Sequence, residues 1–492
     1  MRYRLMGITA TILVLAASFG ASIIDKDNPT NRIHQHLEDR AEDGRCSCDK
    51  SGLCTHMPII SIDTSGKEIP GDLIRTDIVG NEKYKYFTTA EDGSSDIVCK
   101  VKVVDSKTHN NHLTDEPSMD LTARIRIRGN SSRSYDKKGY LLNIKEEDGI
   151  ENLDVPLLGM DDHHEWALHG PYLDKSLIRN YIWYNIAGEI MDYAPNVRFC
   201  EVVINGEYKG LYVMVETITN GEDSRLDMSK PEDGASAVSY VLRLDRGSTN
   251  PIKNIETFAI HTMRNKQKLD IVYPGASNLT PERIEYIRQD FSDFEKILYS
   301  FDYDTEPYAW WNEADMDSMV DYFIINEFTC NYDAGALSTY IYKDLRGKYK
   351  MCIWDFNSCC DNYNVSSIQP QRFQLQYVPW YYMLIKDEHF VNRLIERYEQ
   401  LRESYLSDEY LMNYIDETIE WLGPAIDRNF EIWGYTFEGY TPLRPIERNP
   451  ENHDEAVEQM KDFIIERGDW MDEHIETLKQ FCHESKIKKF NH

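Results

Sequence analysis

The spacing of apolar residues changes along this chain, and that change limits the folds the chain can adopt. In the first half, Leu121–Arg128 alternates, so Ile125 and Ile127 share one face. Arg124, Arg126 and Arg128 share the other face. In the last third, apolar residues recur about every 3.6 positions over Pro281–Tyr299, Asp315–Thr329, His389–Tyr405, Asp408–Arg428 and Asn452–Lys479. The sequence therefore predicts an α+β fold with a strand-rich N-terminal part and a helical C-terminal part.

Two shorter signals lie between these regions. The dipeptide Asn205-Gly206 stands between two apolar runs and predicts a tight β-hairpin. A helix is predicted over Lys175–Met191, with Asp174 or Ser176 as its N-cap. These two elements place one helix within the strand-rich part of the chain.

A second predicted hairpin carries two carboxylates. The run Leu337–Tyr342 and the run Tyr349–Asn357 flank a turn at 344–347. Asp333 precedes the first strand and Asp355 ends the second, so antiparallel pairing brings them to one place. Phosphoryl transfer uses such a pair, because one carboxylate orients the attacking hydroxyl and the other holds Mg²⁺. The alternative is that Asp333 caps a turn and Asp355 only ends a strand.

The charge balance of the chain excludes one class of function. The 492 residues include 54 lysines and arginines against 84 aspartates and glutamates, which gives a formal net charge of −30. Nucleic-acid binding needs an excess of positive charge to neutralise phosphates, so no nucleic-acid partner is predicted. The 32 tyrosines exclude an intrinsically disordered chain.

The first 24 residues predict export. Arg2 and Arg4 precede an uncharged run that extends to Ile24, and the small residues near Ala21 are typical of a signal-peptide cleavage site. The run also approaches the length of a membrane span, so an uncleaved membrane anchor is the alternative. Both interpretations predict an extracytoplasmic protein, either secreted or anchored at the cell surface. The rest of the chain divides into a polar cysteine-containing linker over 25–56, a folded domain over 57–480 and a charged tail over 481–492.

The ten cysteines fit an oxidising compartment but do not require one. Cys46, Cys48 and Cys54 lie close together in the predicted linker, with His56 nearby. These residue types admit a zinc site, but their spacing matches no standard zinc pattern. Disulfides or unpaired thiols are favoured over zinc on sequence alone.

Two further cysteines follow the Asp355 segment. Cys359 and Cys360 are adjacent and cannot easily pair with each other. In a disulfide, each would need a distant partner such as Cys330 or Cys352. The sequence does not fix this connectivity.

An ordered set of motifs makes the chain resemble the CotH family of spore coat protein H kinases. The motifs span roughly residues 57–478, and their number and order are more specific than any single short motif. They are Ile127–Arg133 with Lys137-Lys138, Gly159-Met160, Trp166–Leu168, Asp174–Ser176, Ile178–Asn180, Ile204–Tyr212 with Glu216, the Asp333 loop, Trp354-Asp355, Asp427–Asn429 and Phe463–Arg467.

The resemblance implies an atypical protein-kinase-like fold that uses ATP and Mg²⁺ to phosphorylate proteins. By position, Asp333 matches the catalytic aspartate, Asp355 matches the metal-binding aspartate, and Asn357 fits as a second metal ligand. Two departures stand out. Ser358–Cys360 replaces a loop of small residues, and Ile432-Trp433 stands where the family often has Arg-Trp. Neither departure removes a charged catalytic group.

Charged residues of the N-terminal part are predicted to bind the nucleotide. Arg126 and Arg128 lie on the polar face of one strand, and arginine can hold phosphate oxygens with two parallel hydrogen bonds. Lys138, with Lys137 as its alternative, is predicted to pair with the phosphates. Glu216 is predicted to position that lysine or to contact the nucleotide. The alternatives are a solvated sheet face for the arginines and a strand-end charge for Glu216.

The leading hypothesis is a secreted or surface-anchored protein kinase that transfers the ATP γ-phosphate to serine or threonine of protein substrates. The alternative is a noncatalytic cell-surface or spore-surface protein with the same fold, because a fold does not determine a function. Predicted export favours this alternative, since ATP is scarce outside most cells. A metal-dependent hydrolase is disfavoured, because the sequence lacks the additional acidic or histidine cluster of a two-metal site.

Overall fold

The structure is a computed structural model that describes residues 32–38, 46–48, 52–79, 82–221, 226–261, 267–438 and 442–486. The chain forms two compact units, residues 1–34 and residues 35–492. The predicted signal peptide or anchor over 1–24 and the end of the predicted tail lie outside the described residues. The helices of the described segments are too short or too polar to cross a membrane.

The second unit has the predicted α+β composition, with most strands in its N-terminal part and most helices in its C-terminal part. The strands are β1 Cys54–Thr55, β2 Ile59–Asp63, β3 Leu73–Val79, β4 Glu82–Phe87, β5 Ile97–Val104, β6 Asn111–His112, β7 Met119–Arg128, β8 Gly139–Lys145, β9 Glu165–His169, β10 Val197–Ile204, β11 Glu207–Glu216, β12 Tyr240–Asp245, β13 Asn254–Ile255, β14 Lys268–Tyr273, β15 Thr339–Lys343 and β16 Lys350–Cys352. The α-helices are α1 Arg179–Ile190, α2 Pro281–Leu298, α3 Met316–Phe328, α4 Tyr381–Leu384, α5 Glu388–Arg402, α6 Asp408–Leu422, α7 Pro424–Trp433 and α8 His453–His474.

The N-terminal strands close into a barrel in the order β10-β11-β9-β8-β7-β5-β2. Antiparallel pairs make up most of the barrel, and a parallel pairing of β10 with β2 closes it. The predicted alternation in β7 is confirmed, because Ile125 and Ile127 are buried while Arg126 and Arg128 are partly exposed. The Asn205-Gly206 hairpin is also confirmed: both residues have positive φ, 52° and 81°, as a tight two-residue turn requires.

A second sheet has the order β13-β14-β12-β15-β16 and is antiparallel throughout. Its last two strands form the predicted hairpin, with Tyr340 opposite Cys352. Helix α3 directly precedes this hairpin in the chain, and its buried residues join the core that the sheet shares with the C-terminal helices. In the order of the chain the sheet follows the barrel, and helices α2 and α3 lie between its strands β14 and β15.

Several helix boundaries differ from the predicted ones, and two of these differences have a clear cause in the backbone. Helix α1 begins at Arg179 rather than at residue 175, because Leu177 has a φ of 67°, which a right-handed helix cannot include. The predicted capping residue Asp174 still accepts a hydrogen bond from the backbone N–H of Arg179, at 3.0 Å. The predicted helix over 408–428 is interrupted at Gly423, where φ is 43°, and Pro424 starts the next helix.

The cysteines are not joined in disulfides. All ten lie in described segments, and each carries its own thiol. The pairing of Cys359 or Cys360 with Cys330 or Cys352 is therefore not present, and the thiol alternative is the one observed. Cys359 and Cys360 are buried in the core that contains Cys330 and Cys352.

Candidate active site

Three neighbouring strands of the second sheet place carboxylates at the same end of the sheet, which is called the sheet edge below. Asp245 is the last residue of β12, Asp333 precedes β15, and Asp355 follows β16. The register places Leu244 opposite Thr339, so the end of β12 lies beside the start of β15. Because β15 and β16 are also antiparallel, the end of β16 lies at the same edge. The pairing of the strands thus collects three acidic residues from distant parts of the sequence.

The backbone at Asp355 is held in an unusual conformation by helix α1. Asp355 has a φ of 62°, a region that few residues other than glycine, asparagine and aspartate adopt. Its N–H donates to the hydroxyl of Tyr184 at 3.0 Å, and the next N–H, that of Phe356, donates to Oδ1 of Asn180 at 2.8 Å. The ring of Tyr184 also makes edge contacts with Trp354 and Phe356. These contacts stabilise a local conformation that alone would be strained.

The loop that follows Asp355 is fixed from the same helix. The guanidinium of Arg179 donates to the backbone oxygens of Cys359 and Cys360, at 3.1 and 3.4 Å. The same guanidinium forms a buried ion pair with Asp174 at 2.5 Å. The sequence predicted only a capping role for Asp174 and none for Arg179, and the structure shows that this pair positions the segment after Asp355.

Asp333, the predicted catalytic residue, and Asp355, the predicted metal ligand, interact electrostatically. Burial, together with the nearby charge of Asp333, raises the pKa of Asp355 to about 6. Burial also raises the pKa of Asp333. Within the described segments, neither carboxylate accepts a hydrogen bond or forms an ion pair. Two such carboxylates repel each other, and a cation between them would remove that repulsion.

Asp245 and Arg246 belong to this group of charges, and sequence analysis missed them. The carboxylate of Asp245 raises the pKa of both Asp333 and Asp355, whereas the guanidinium of Arg246 lowers both. Arg246 donates to Asp245 from its backbone N–H at 2.8 Å and from its guanidinium at 3.1 Å. The available signal was an apolar strand that ends in an aspartate, the same signal that identified Asp355.

Arg128 brings positive charge from the barrel to this edge. Its guanidinium carbon lies 5.4 Å from the ring centre of Trp354, and its charge lowers the pKa of the adjacent Asp355. Arg126, two residues earlier on the same face of β7, has a pKa lowered first by burial and also by Arg128. Among the described residues, neither arginine donates a hydrogen bond or forms an ion pair. Both therefore keep their donors available for an anion.

A third guanidinium adds to this positive region. Burial and the charges of Arg126 and Arg128 lower the pKa of Arg133 to about 10. Arg133 donates to the backbone oxygens of Gly129 and Gly71, at 2.7 and 2.8 Å. In a chain of net charge −30, this is a local concentration of positive charge.

Lys138 and Lys137 are engaged elsewhere. The ammonium of Lys138 pairs with Asp72 at 2.8 Å and donates to the backbone oxygen of Arg133 at 2.8 Å. Lys137 is fully buried and donates to the oxygens of Leu211 and Asn429, at 2.7 and 2.6 Å. Burial lowers its pKa well below the usual lysine value. The described contacts of Lys137 are thus with the barrel and helix α7, and those of Lys138 are with the loops of Asp72 and Arg133, not with Asp333 or Asp355.

Glu216 and Asn357 complete the predicted set. Glu216 is buried at the end of β11, where the side-chain amide of Asn196 donates to it at 3.5 Å. Glu165, rather than Glu216, is the nearby glutamate that favours the charged form of Arg126. Asn357 lies two residues after Asp355, and its Oδ1 accepts a bond from Ser358 Oγ at 3.2 Å. That oxygen has a second lone pair, so Asn357 can still serve as a ligand.

A cavity of about 360 Å³ lies farther along the same loop. Its walls include Arg179, Cys360, Asp361 and Arg448, but neither Asp333 nor Asp355. Arg448 pairs with Asp361 at 2.9 Å and so closes one side of it. This cavity is therefore separate from the group of carboxylates at the sheet edge.

The arrangement at the sheet edge defines a class of site. Unneutralised carboxylates are ligands suited to a hard divalent cation such as Mg²⁺, and unpaired arginines are suited to phosphate. An α+β protein with both at one edge is equipped to hold a metal-bound phosphate compound. Comparison with known proteins agrees with this class: a model of the family described as CotH kinase protein matches residues 125–471. The chain belongs to the CotH family.

One curated relative gives a more particular comparison. The chain is 22% identical over 367 residues to "Inner spore coat protein H" of Bacillus subtilis strain 168. The match covers 73% of this chain and 88% of that protein. The family predicted from the sequence motifs is thus confirmed, and every predicted site residue lies within the matched region.

Proposed function

We propose that this protein is a Mg²⁺-dependent protein kinase that transfers the γ-phosphate of ATP to serine or threonine side chains of protein substrates. The observation that carries the proposal is the pair Asp333 and Asp355, which lie at one sheet edge with raised pKa values and, in the described part of the chain, no hydrogen-bond donors. Arg128 lies beside them and has no acidic partner of its own there. The family description supports the same activity.

Asp355 and Asn357 are the proposed metal ligands. Both follow β16, and hydrogen bonds from the Asp355 segment to helix α1 fix this stretch of backbone before any ligand binds. Mg²⁺ supplies neutralisation of phosphate charge when bound. Such preorganisation matters because phosphoryl transfer depends mainly on positioning and electrostatics.

Asp333 is the proposed catalytic residue. It orients the hydroxyl of the substrate serine or threonine and accepts its proton late in the transfer. Burial already raises the pKa of this carboxyl, which makes it a better proton acceptor than an exposed aspartate. Arg246 opposes this shift, so the carboxylate form stays accessible.

Arg126 and Arg128 are the proposed phosphate-binding residues, because their guanidinium groups have no acid to satisfy within the described segments. Lys138 can join them only if its ion pair with Asp72 opens. Asp72 is 47% exposed, and pairs of that kind contribute about 0–1 kcal/mol, so this rearrangement is inexpensive. Glu216 is buried at the end of β11, and we propose that it positions the phosphate-binding residues.

A second function is favoured by one observation: the relative from B. subtilis is named as a spore coat protein. A noncatalytic spore-surface or cell-surface role would use the same fold without transfer. Either role is compatible with a protein that is secreted or anchored through its N-terminal segment.

Binding and transfer experiments separate the two functions. Calorimetry with Mg²⁺-ATP, followed by transfer of labelled γ-phosphate to the protein itself and to casein, should show binding and labelling for the natural chain. Asp333→Asn should bind Mg²⁺-ATP and transfer almost nothing, whereas Asp355→Asn should lose both. A natural chain that neither binds ATP nor labels protein would support the noncatalytic role.

A further inference from the structure

A second cluster of polar side chains lies away from the carboxylates, where the chain enters the barrel. Strands β1 and β6 form a small two-stranded sheet in which Cys54 lies directly opposite His112. The thiols of Cys46 and Cys48 join them, and the four potential ligand atoms all lie within 4.8 Å of one another. The sequence grouped these cysteines with His56, but the structure brings His112 to them instead.

The ligand atoms of this cluster are close enough together to bind one zinc ion. Zinc bonds thiolate sulfur at about 2.3 Å and imidazole nitrogen at about 2.0–2.1 Å, so neighbouring ligand atoms are about 3.5–3.8 Å apart. Sγ of Cys46 lies 3.4 Å from Nε2 of His112, close to this value. Three thiols and one imidazole are also a known structural zinc ligand set.

The surrounding residues orient these ligands. Nδ1 of His112 lies 3.1 Å from the carboxylate of Asp115, which also accepts the backbone N–H of His112 at 2.8 Å. A carboxylate on one ring nitrogen fixes the tautomer that leaves the other nitrogen as a ligand. The amide of Asn110 donates to Sγ of Cys54 at 3.3 Å, a contact that stabilises thiolate. Sequence spacing could not reveal this site, because its fourth ligand comes from a distant strand.

We propose that Cys46, Cys48, Cys54 and His112 bind one structural Zn²⁺. All four coordination positions are filled by protein groups, so the ion has no open position for catalysis. It would join the segment before the barrel to β6. Strand β1 leads directly into β2, which closes the barrel through its pairing with β10, so the ion would secure the entry to that barrel. This proposal is independent of the proposed kinase activity.

Metal content tests the proposal directly. The natural full-length chain, purified without chelators under reducing conditions, should contain about one zinc per chain by mass spectrometry of the metal. Cys46→Ser and Cys54→Ser should each reduce zinc to background. Asp115→Asn should weaken zinc affinity by about 10- to 100-fold, because it removes the carboxylate behind the ligand. Cys482→Ser and His109→Gln are matched controls and should keep the zinc.

Two measurements on the natural chain cover the case in which the cysteine variants do not fold. Chelation should lower the melting temperature, added Zn²⁺ should restore it, and added Co²⁺ should give the visible spectrum of a tetrahedral thiolate site. The thiols of Cys46, Cys48 and Cys54 should become alkylated only after chelation. A natural chain without zinc and without a cobalt spectrum would overturn the proposal. A disulfide between two of these cysteines in the purified protein would overturn it as well.

Discussion

Replacing Asp355 by asparagine should make the metal-free protein more stable while abolishing its response to Mg²⁺. Burial and the neighbouring Asp333 raise the pKa of this carboxyl from 3.8 to about 6. At pH 8 the ionised group therefore costs the folded state about 2–3 kcal/mol, since each pKa unit corresponds to about 1.4 kcal/mol. Asparagine resembles the neutral form and is well suited to the φ of 62° at this position.

The sign of the pH dependence follows from the same shift. Well below its ordinary pKa of 3.8 the carboxyl is protonated in both the folded and the unfolded chain, so the natural protein and the variant should have similar stability there. As pH rises from about 4 to 6, the folded protein holds its proton longer than the unfolded chain does. The free energy of unfolding of the natural protein therefore falls over this range, whereas that of Asp355→Asn does not fall for this reason. Above that range the difference should be constant.

Urea denaturation followed by tryptophan fluorescence, with EDTA or with Mg²⁺ at pH 5 and pH 8, measures both effects. Mg²⁺ at a hundred times its Kd should stabilise the natural chain by about 2.7 kcal/mol and leave Asp355→Asn unchanged. Asp361→Asn is the matched control, because Asp361 also has a positive φ, 57°, but pairs with Arg448. That control should lose stability and keep its response to Mg²⁺. A less stable Asp355→Asn protein, or one that Mg²⁺ still stabilises, would refute the assignment.

Three further changes test the same site. Asp333→Asn should reduce the rate of phosphate transfer by at least about 100-fold with little change in ATP affinity, measured by single-turnover labelling and calorimetry; full activity would place the base elsewhere. Arg128→Ala should weaken Mg²⁺-ATP binding by about 1.5–3 kcal/mol. Lys138→Met should weaken it less, because Lys138 is paired with Asp72. Equal losses of affinity in calorimetric titration would contradict this difference between the two residues. Tyr184→Phe should weaken Mg²⁺ binding although Tyr184 is not a proposed ligand, because the change removes the hydroxyl that accepts the Asp355 N–H. An unchanged Kd for Mg²⁺ would show that this hydrogen bond does not position Asp355 for metal binding.

The sequence predicted those parts of the site that depend on local pairing. The hairpin of β15 and β16 joins strands close together in the chain, and its antiparallel register alone brings Asp333 and Asp355 to one edge. Arg128 was predictable because alternation along β7 assigns it to the polar face. In both cases the position of the side chain follows from its own strand or from a hairpin of two strands that are neighbours in the chain.

The missed or misplaced parts depend on contacts between distant segments. Asp245 joins the site because β12 pairs with β15, nearly a hundred positions away in the chain. Lys138 turns to Asp72, which lies in an unrelated loop, and no motif around Lys138 encodes that partner. The helix predicted from Lys175 starts later because Leu177 adopts a positive φ, which apolar spacing does not reveal.

The attachment of the Asp355 segment to helix α1 has a consequence for regulation. In ordinary kinases the metal-binding aspartate lies in a segment whose phenylalanine can change its packing, and that change switches the enzyme between active and inactive states. Here Phe356 is fully buried and its N–H is bonded to Asn180, while Arg179 holds the carbonyls of the next turn. Displacing the segment would break all of these bonds together. If the proposed kinase activity holds, we therefore expect a site that is assembled at all times and is not switched by movement of this segment.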